Sequence, residues 1–262
     1  MAKFDESSLP VTLLCGILKD DGTVVKECTI TAMTGGLRKQ IAQPDVRKEG
    51  FKVMNAVLDA CILDVGGEPF TASKACDKML LADADYLLMK IRQHSLGDTI
   101  TMDLTCPACS HSYRAELNIS EIECYPIDDT NVEIIDGVRT FKLKTDNWDC
   151  VVRFPNRDDQ KALAKISNDN PIQAMHNLYV RIMLEKDGEK VDGAELVKLF
   201  DDLPVKYIDE LSGELEGVLP GVESVHNSTC PECGQQAQME VNGGDFLFAR
   251  PKGRTKSKSR IG

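Results

Sequence analysis

Cysteine occurs ten times in the 262-residue chain, and four of the ten fall into two short repeats, Cys106-Pro107-Ala108-Cys109 and Cys230-Pro231-Glu232-Cys233. A CxxC turn aims two thiolates the same way, because a tight reversal directs backbone N–H groups at the sulfurs. Proline after the first cysteine stiffens that reversal. Glycine after the second, as at Gly234, allows positive φ where the chain turns back; Ser110 stands there in the first repeat and is a weaker match. A structural zinc site takes four ligands in a tetrahedron, and each pair supplies two. The expectation is therefore one structural Zn2+ held jointly by Cys106, Cys109, Cys230 and Cys233.

Three other readings compete. CPxC also occurs in glutaredoxin-like redox proteins, where the first thiolate sits at a helix N-terminus. Here both pairs run between strand-like alternations, Thr99–Leu104 and Ser112–Leu117 around the first and Ala237–Val241 after the second. Strand, knuckle, strand is the pattern of a zinc-ribbon hairpin. His111 could join the first pair in a separate site, although nothing equivalent follows Cys233. The knuckles could also be relics that bind no metal.

No other chemistry is written in the chain. A catalytic zinc needs an open coordination position and a nearby acid or base, and no HxxE, HExxH or HxE element occurs. His94 and His176 fall on expected helices and His226 on an expected strand, without clustering. Walker, GxGxxG and GxSxG signatures are missing, and Gly35-Gly36 reads as a strand-to-helix junction. Asp158-Asp159 and Asp201-Asp202 are expected near helix starts, where acidic groups complement the dipole. Cys15, Cys28, Cys61, Cys76, Cys124 and Cys150 are expected as small buried hydrophobes. No active site and no small-molecule substrate are expected.

The elements that position the knuckles recur. A strand leads through Thr34 into a helix, and 122 positions later a strand leads through Asn156 into another. Residues 50–63 place Phe51, Met54, Leu58 and Cys61 at helical spacing, as 171–184 do with Ile172, Met175, Tyr179 and Ile182. Turn signals follow at Asp64–Gly67 and Lys186–Gly188, then helices around Tyr86–Ile91 and Tyr207–Leu211. The knuckles end the series, 124 positions apart. The reading is an α+β chain of two homologous halves, each a short sheet plus helices and a zinc-ribbon-like hairpin. The halves span 1–125 and 126–250, with residues 124–140 as a linker and 251–262 as a disordered basic tail. Because each half carries only half a zinc site, the halves are expected to face one another across it.

Charge constrains the partners. From Arg250 onward the chain carries six basic residues and no acidic one, which leaves a body of 25 basic against 42 acidic residues, or −17. Such a body repels nucleic acid and anionic membranes, so contact with nucleic acid is expected only through the tail. No apolar run reaches the roughly 18–20 residues of a membrane span, and the N-terminus lacks signal-peptide order. A cytosolic setting with reduced thiols is the default expectation.

The run Tyr86-Leu87-Leu88-Met89-Lys90-Ile91-Arg92, Ser95-Leu96-Gly97-Asp98, then Leu104-Thr105-Cys106-Pro107-Ala108-Cys109 resembles the T-even-type phage baseplate hub subunit and hub-assembly chaperone family, which is also found in contractile injection systems. The second half departs more, since Leu211–Glu216 replaces the arginine–serine stretch and Arg92 has no counterpart there. The resemblance implies a non-enzymatic role in building the hub of a contractile tail, with other hub or tail proteins as partners. It implies a location in the host cytoplasm or the virion baseplate. The alternative is a zinc-ribbon nucleic-acid-binding or transcription accessory protein that uses the basic tail.

Overall fold

Alternating apolar side chains begin the fold at Leu9. The computed structural model describes residues 8–43, 49–164, 166, 170–241 and 247; the basic tail read at 251–262 lies outside them. β1 (Leu9–Leu18) pairs antiparallel with β2 (Val24–Ile30), and β2 pairs with β3 (Ile62–Val65). Between β2 and β3 lie α1 (Gly35–Ile41), capped by the Thr34 hydroxyl on Leu37 N–H, and α2 (Gly50–Cys61). Consecutive turns over 72–78 lead into α3 (Leu81–Leu96), and the hairpin of β4 (Thr99–Thr105) and β5 (Ser112–Asn118) follows.

The segment expected as a linker is instead structured. It carries β6 (Cys124–Tyr125), β7 (Glu133–Ile135) and the start of β8 (Val138–Lys144). Asp136 and Gly137 both take positive φ, 51° and 75°, which is the two-residue hairpin geometry that joins β7 to β8. The polar pair read as a loop is thus a tight turn between paired strands.

From β8 the earlier order of elements returns. β9 (Asp149–Arg153), α4 (Arg157–Leu163), α5 (Pro171–Ile182) and β10 (Met183–Lys186) follow one another as β2, α1, α2 and β3 do. α2 and α5 are each 12 residues long and begin 121 positions apart, and β3 and β10 keep the same displacement. After β11 (Glu189–Lys190), the helix α6 (Gly193–Asp202) stands where the first series has its turns. α7 (Val205–Val218), β12 (Gly221–Val222), β13 (Val225–Thr229) and β14 (Gln236–Glu240) follow. Asp201-Asp202 therefore end a helix rather than start one. Leu196 and Phe200 carry the buried helical stripe of α6 up to that point, and Pro204 caps the next helix.

Strands pair as β1-β2-β3 in one sheet and β11-β10-β9-β8-β7 in another, all antiparallel. Three apolar clusters hold these layers. The first is built on Ile30, Val53, Leu58, Leu87 and Ile91, the second on Phe141, Val152, Tyr179, Phe200 and Leu211. Leu14, Cys15, Leu80 and Ala82 reach from the first series into the second cluster, so the two series share a core. Each fully buried Leu, Ile or Phe contributes on the order of 1.5–3 kcal/mol. The third cluster unites Met89, Ile100, Ala115 and Ile119 with Met239 and Val241, joining the two terminal hairpins on one face of α3.

β1 contains an irregularity that a polar pair secures. Its register with β2 shifts between Thr12 and Ile17, where Gly16 takes φ +81. The carboxylate of Asp83 on α3 accepts the N–H groups of Cys15 and Gly16, both at 2.9 Å. The guanidinium of Arg139 on β8 donates to the carbonyls of the same two residues, at 2.7 and 2.6 Å. Both side chains are buried, so the four backbone polar groups of Cys15 and Gly16 find partners away from water.

Candidate metal centre

Each knuckle grows from the end of a hairpin whose register delivers it. The last pair of β4 and β5 is Thr105↔Ser112, and that of β13 and β14 is Thr229↔Gln236, leaving six residues to turn in each case. The backbones of the two turns match bond for bond. Cys106 N–H donates to His111 O at 2.9 Å and Ser110 N–H to Cys106 O at 2.9 Å; Cys230 N–H donates to Gln235 O at 2.9 Å and Gly234 N–H to Cys230 O at 3.0 Å. Ser110 adopts φ 58°, in the same left-handed region as Gly234 at 73°. The weaker residue thus takes the geometry that glycine takes freely.

The hairpins bring all four knuckle thiols together. Cys106 Sγ lies 3.7 Å from Cys233 Sγ, and Cys109 Sγ lies 3.7 Å from Cys230 Sγ. The four sulfurs all fall within 4.8 Å of one another. Ligands about 2.3 Å from a tetrahedral centre stand roughly 3.8 Å apart, so the spacing fits a four-thiolate metal shell. Disulfide sulfurs would lie at about 2.05 Å. Cys106 and Cys230 are each 1% exposed, while Cys109 and Cys233 are exposed.

Backbone donors prepare the sulfurs for negative charge. The Cys106 thiol is drawn down to about 7, first by the N–H of Cys109 and further by that of Ala108. The N–H of His111 favours the Cys109 thiolate, but the surrounding thiols and desolvation outweigh it and push that group up to about 12. The Gln235 N–H and Cys109 favour the Cys233 thiolate, but desolvation and the Cys106 and Cys230 thiols carry that group upward. Thiols this close compete for protons, and a cation among them removes the competition. A bound metal would supply charge neutralisation and a cross-link between two distant parts of the chain.

Among the described residues, the cluster with metal-ligand spacing consists of these four cysteines alone. His111 is exposed; His94 and His176 lie on α3 and α5, and His226 lies on β13. Cys15, Cys28, Cys61, Cys76 and Cys150 are buried, and desolvation raises each thiol, to about 12 at Cys28 and about 11 at Cys61 and Cys150. Cys124 is half-buried.

The corner that aims the first hairpin is built from Arg92, Ser95, Gly97 and Asp98. Fully buried Arg92 donates to the carbonyls of Gly97 and Thr99, at 2.9 and 3.0 Å, tying the end of α3 to the start of β4. Gly97 turns the chain at φ +88. Asp98 accepts from Ser120 N–H, Ser120 hydroxyl and Gln93, and Ser95 accepts Met33 N–H. The second hairpin is aimed differently, by the pairing of β12 with β6 and by Val225 N–H donating to the Glu223 carboxylate.

Three polar anchors had no clear signal in the sequence. Asp83 sits in an apolar helix and Arg139 in an alternating strand, and only their burial reveals the clamp on β1. Arg157 is the third, fully buried at the start of α4. A lone acid on the apolar face of 81–91 was the one available hint.

No helix among the described residues is long and apolar enough to cross a membrane. No curated protein and no solved structure matches the chain. Residues 17–249 match one protein family, described as T4 bacteriophage base plate protein.

Proposed function

The chain belongs to the T4 bacteriophage base plate protein family, and from that premise we propose that it is a zinc-clasped, non-enzymatic component of baseplate hub assembly. Membership carries a role in baseplate and tail structure and association with other baseplate proteins. The finer reading is a hub subunit or hub-assembly chaperone, present in the host cytoplasm and in the virion baseplate. The observation that carries the clasp is the meeting of Cys106, Cys109, Cys230 and Cys233, two from each hairpin.

In this reading the chain is two homologous halves, 1–125 and 126–250, followed by a basic tail at 251–262. The common 121-residue displacement of α2/α5 and β3/β10 supports homology. The metal is zinc: four thiolates suit a borderline-soft ion without geometric demands of its own, and a closed shell makes the site structural. Its work is to fix the angle between two hairpins that share a small core, and so to hold one binding shape. Affinity capture of the tagged chain from phage-producing cells, with elemental analysis of the eluate, tests the reading. Hub or tail proteins and zinc should elute together.

The basic tail favours a second reading, a zinc-ribbon accessory protein for nucleic acid. Salt-dependent binding of the full chain to DNA or RNA, lost on deleting 251–262, would select it.

A further inference from the structure

The socket that receives Arg157 has an open counterpart. At the start of α4, Arg157 N–H donates to the carbonyls of Cys76 and Met79, both at 3.1 Å. Its guanidinium donates to the Asn55 side-chain oxygen and lies over the Phe51 ring, 5.0 Å from the centroid. Asp59 and Asp85 supply opposing charge. The second series thus inserts a helix start between α2 and the turns before α3.

Adding 121 to Phe51, Asn55, Cys76 and Met79 gives Ile172, His176, Val197 and Phe200. All four line one surface groove of about 380 Å³ between α5 and α6. Ile172 is 65% exposed and Val197 43%. Among the described residues, the second socket receives nothing like the Arg157 that the first one holds.

The side chains also indicate what would fill it. Lys206 stands 121 positions after Asp85, and Val180 after Asp59, so the second socket has lost both acids that oppose Arg157. Phe200 and the His176 ring, 5.8 Å apart, stand where the first socket has Met79 and Asn55. Val180 lines this groove, and Asp201 stands at its edge among the lining residues. The counterpart of Arg157 on α1 is Gly35, followed by Gly36; both are exposed, and a Cβ at Gly35 would meet nothing within 4 Å. Acceptor and donor have changed together: the socket lacks the two acids, and the helix start lacks the cation. An internal contact made in one direction leaves one unused acceptor and one unused donor, the signature of a head-to-tail interface.

We propose that the α5–α6 groove is an interface between copies of this chain, its occupant being the Thr34-Gly35-Gly36 start of α1 from a second copy. The proposal rests on the homology of the halves, and it makes the chain a unit that adds to itself in one direction.

The test is the mass of the full-length, metal-loaded chain in solution, at concentrations on the order of 100 µM, where a micromolar interface is filled. The wild type should average at least twice the mass of one chain. Ile172→Asp or Val197→Asp should block the acceptor, and Gly35→Glu the donor, each giving monomers with metal content unchanged. Mixing Val197→Asp with Gly35→Glu should restore a one-to-one dimer that grows no further, because one good acceptor then meets one good donor. A monomeric wild type overturns the proposal, as does an assembly that survives all three substitutions. If deleting 251–262 abolishes assembly while Gly35→Glu leaves it intact, the chain's own tail is the occupant and the proposal falls. Metal content in the same samples keeps this outcome separate from the fate of the zinc clasp.

Discussion

Asp83 and Arg139 grip the same two peptide units of β1 from opposite sides, the carboxylate taking the N–H groups of Cys15 and Gly16 and the guanidinium their carbonyls. One residue comes from α3 and the other from β8, 56 positions later, so the bulge is one of the points where the two series are fastened. Removing one side leaves the other's charge buried and uncompensated. Arg139→Met should lower unfolding free energy by about 3–5 kcal/mol. A double-mutant cycle with Asp83→Asn should show the pair costing less than the sum of the single changes, read by denaturant titration.

The bulge also needs its glycine. At φ +81, a Cβ on Gly16 would lie 2.7 Å from the carbonyl oxygen of Val25. Gly16→Ala should destabilise by roughly 2 kcal/mol or more, since strained backbone and a clash with main chain add.

Ser110 predicts the opposite sign. It holds φ 58° where its counterpart is Gly234. Ser110→Gly should relieve about 1 kcal/mol of left-handed strain and raise the melting temperature without altering metal content.

Acid should loosen the protein through Asp159. Burial alone would raise this carboxyl, but Arg153, the Asn156 N–H and Arg181 outweigh it and hold it below the ordinary carboxylate value. A group whose folded pKa is depressed stabilises the fold above its unfolded value, and that stability fades as pH falls through the folded pKa. Asp159→Asn should therefore be much less stable than wild type at neutral pH. The two should converge as pH drops below the carboxylate range, measured by unfolding midpoints across a pH series.

The gathering of the four thiols was legible in the sequence because its information is local: a CPxC turn states its own geometry, and two of them offer four sulfurs. The two 12-residue helices were legible too, since Phe51 and Cys61, like Ile172 and Ile182, keep helical spacing wherever the helix packs. What escaped depends on distant partners. β6 is two residues long and exists because β12, nearly a hundred positions away, pairs with it. The Asp136-Gly137 pair looks the same in a linker and in a hairpin until β7 and β8 are seen to pair. Asp201-Asp202 could belong to the end of one helix or the approach to the next, and Leu196 and Phe200 decide it only by being buried. Arg139 and Arg157 passed unmarked because no local pattern announces a buried cation.

The knuckles should also behave as one unit. Cys106 and Cys230 are equally buried and hold matching backbone bonds. Cys106→Ser and Cys230→Ser should lose metal together with the packing of β4–β5 against β13–β14, to the same extent, by thermal unfolding and elemental analysis. Unequal losses would mean that the knuckles do not share a site.

Metal stoichiometry of the purified full-length chain tests the central claim most directly. The four-sulfur clasp predicts about one zinc per chain, released with partial unfolding on adding a chelator or thiol reagent. A chain that binds no metal, one that binds iron in place of zinc, or one that holds two zinc ions would contradict it.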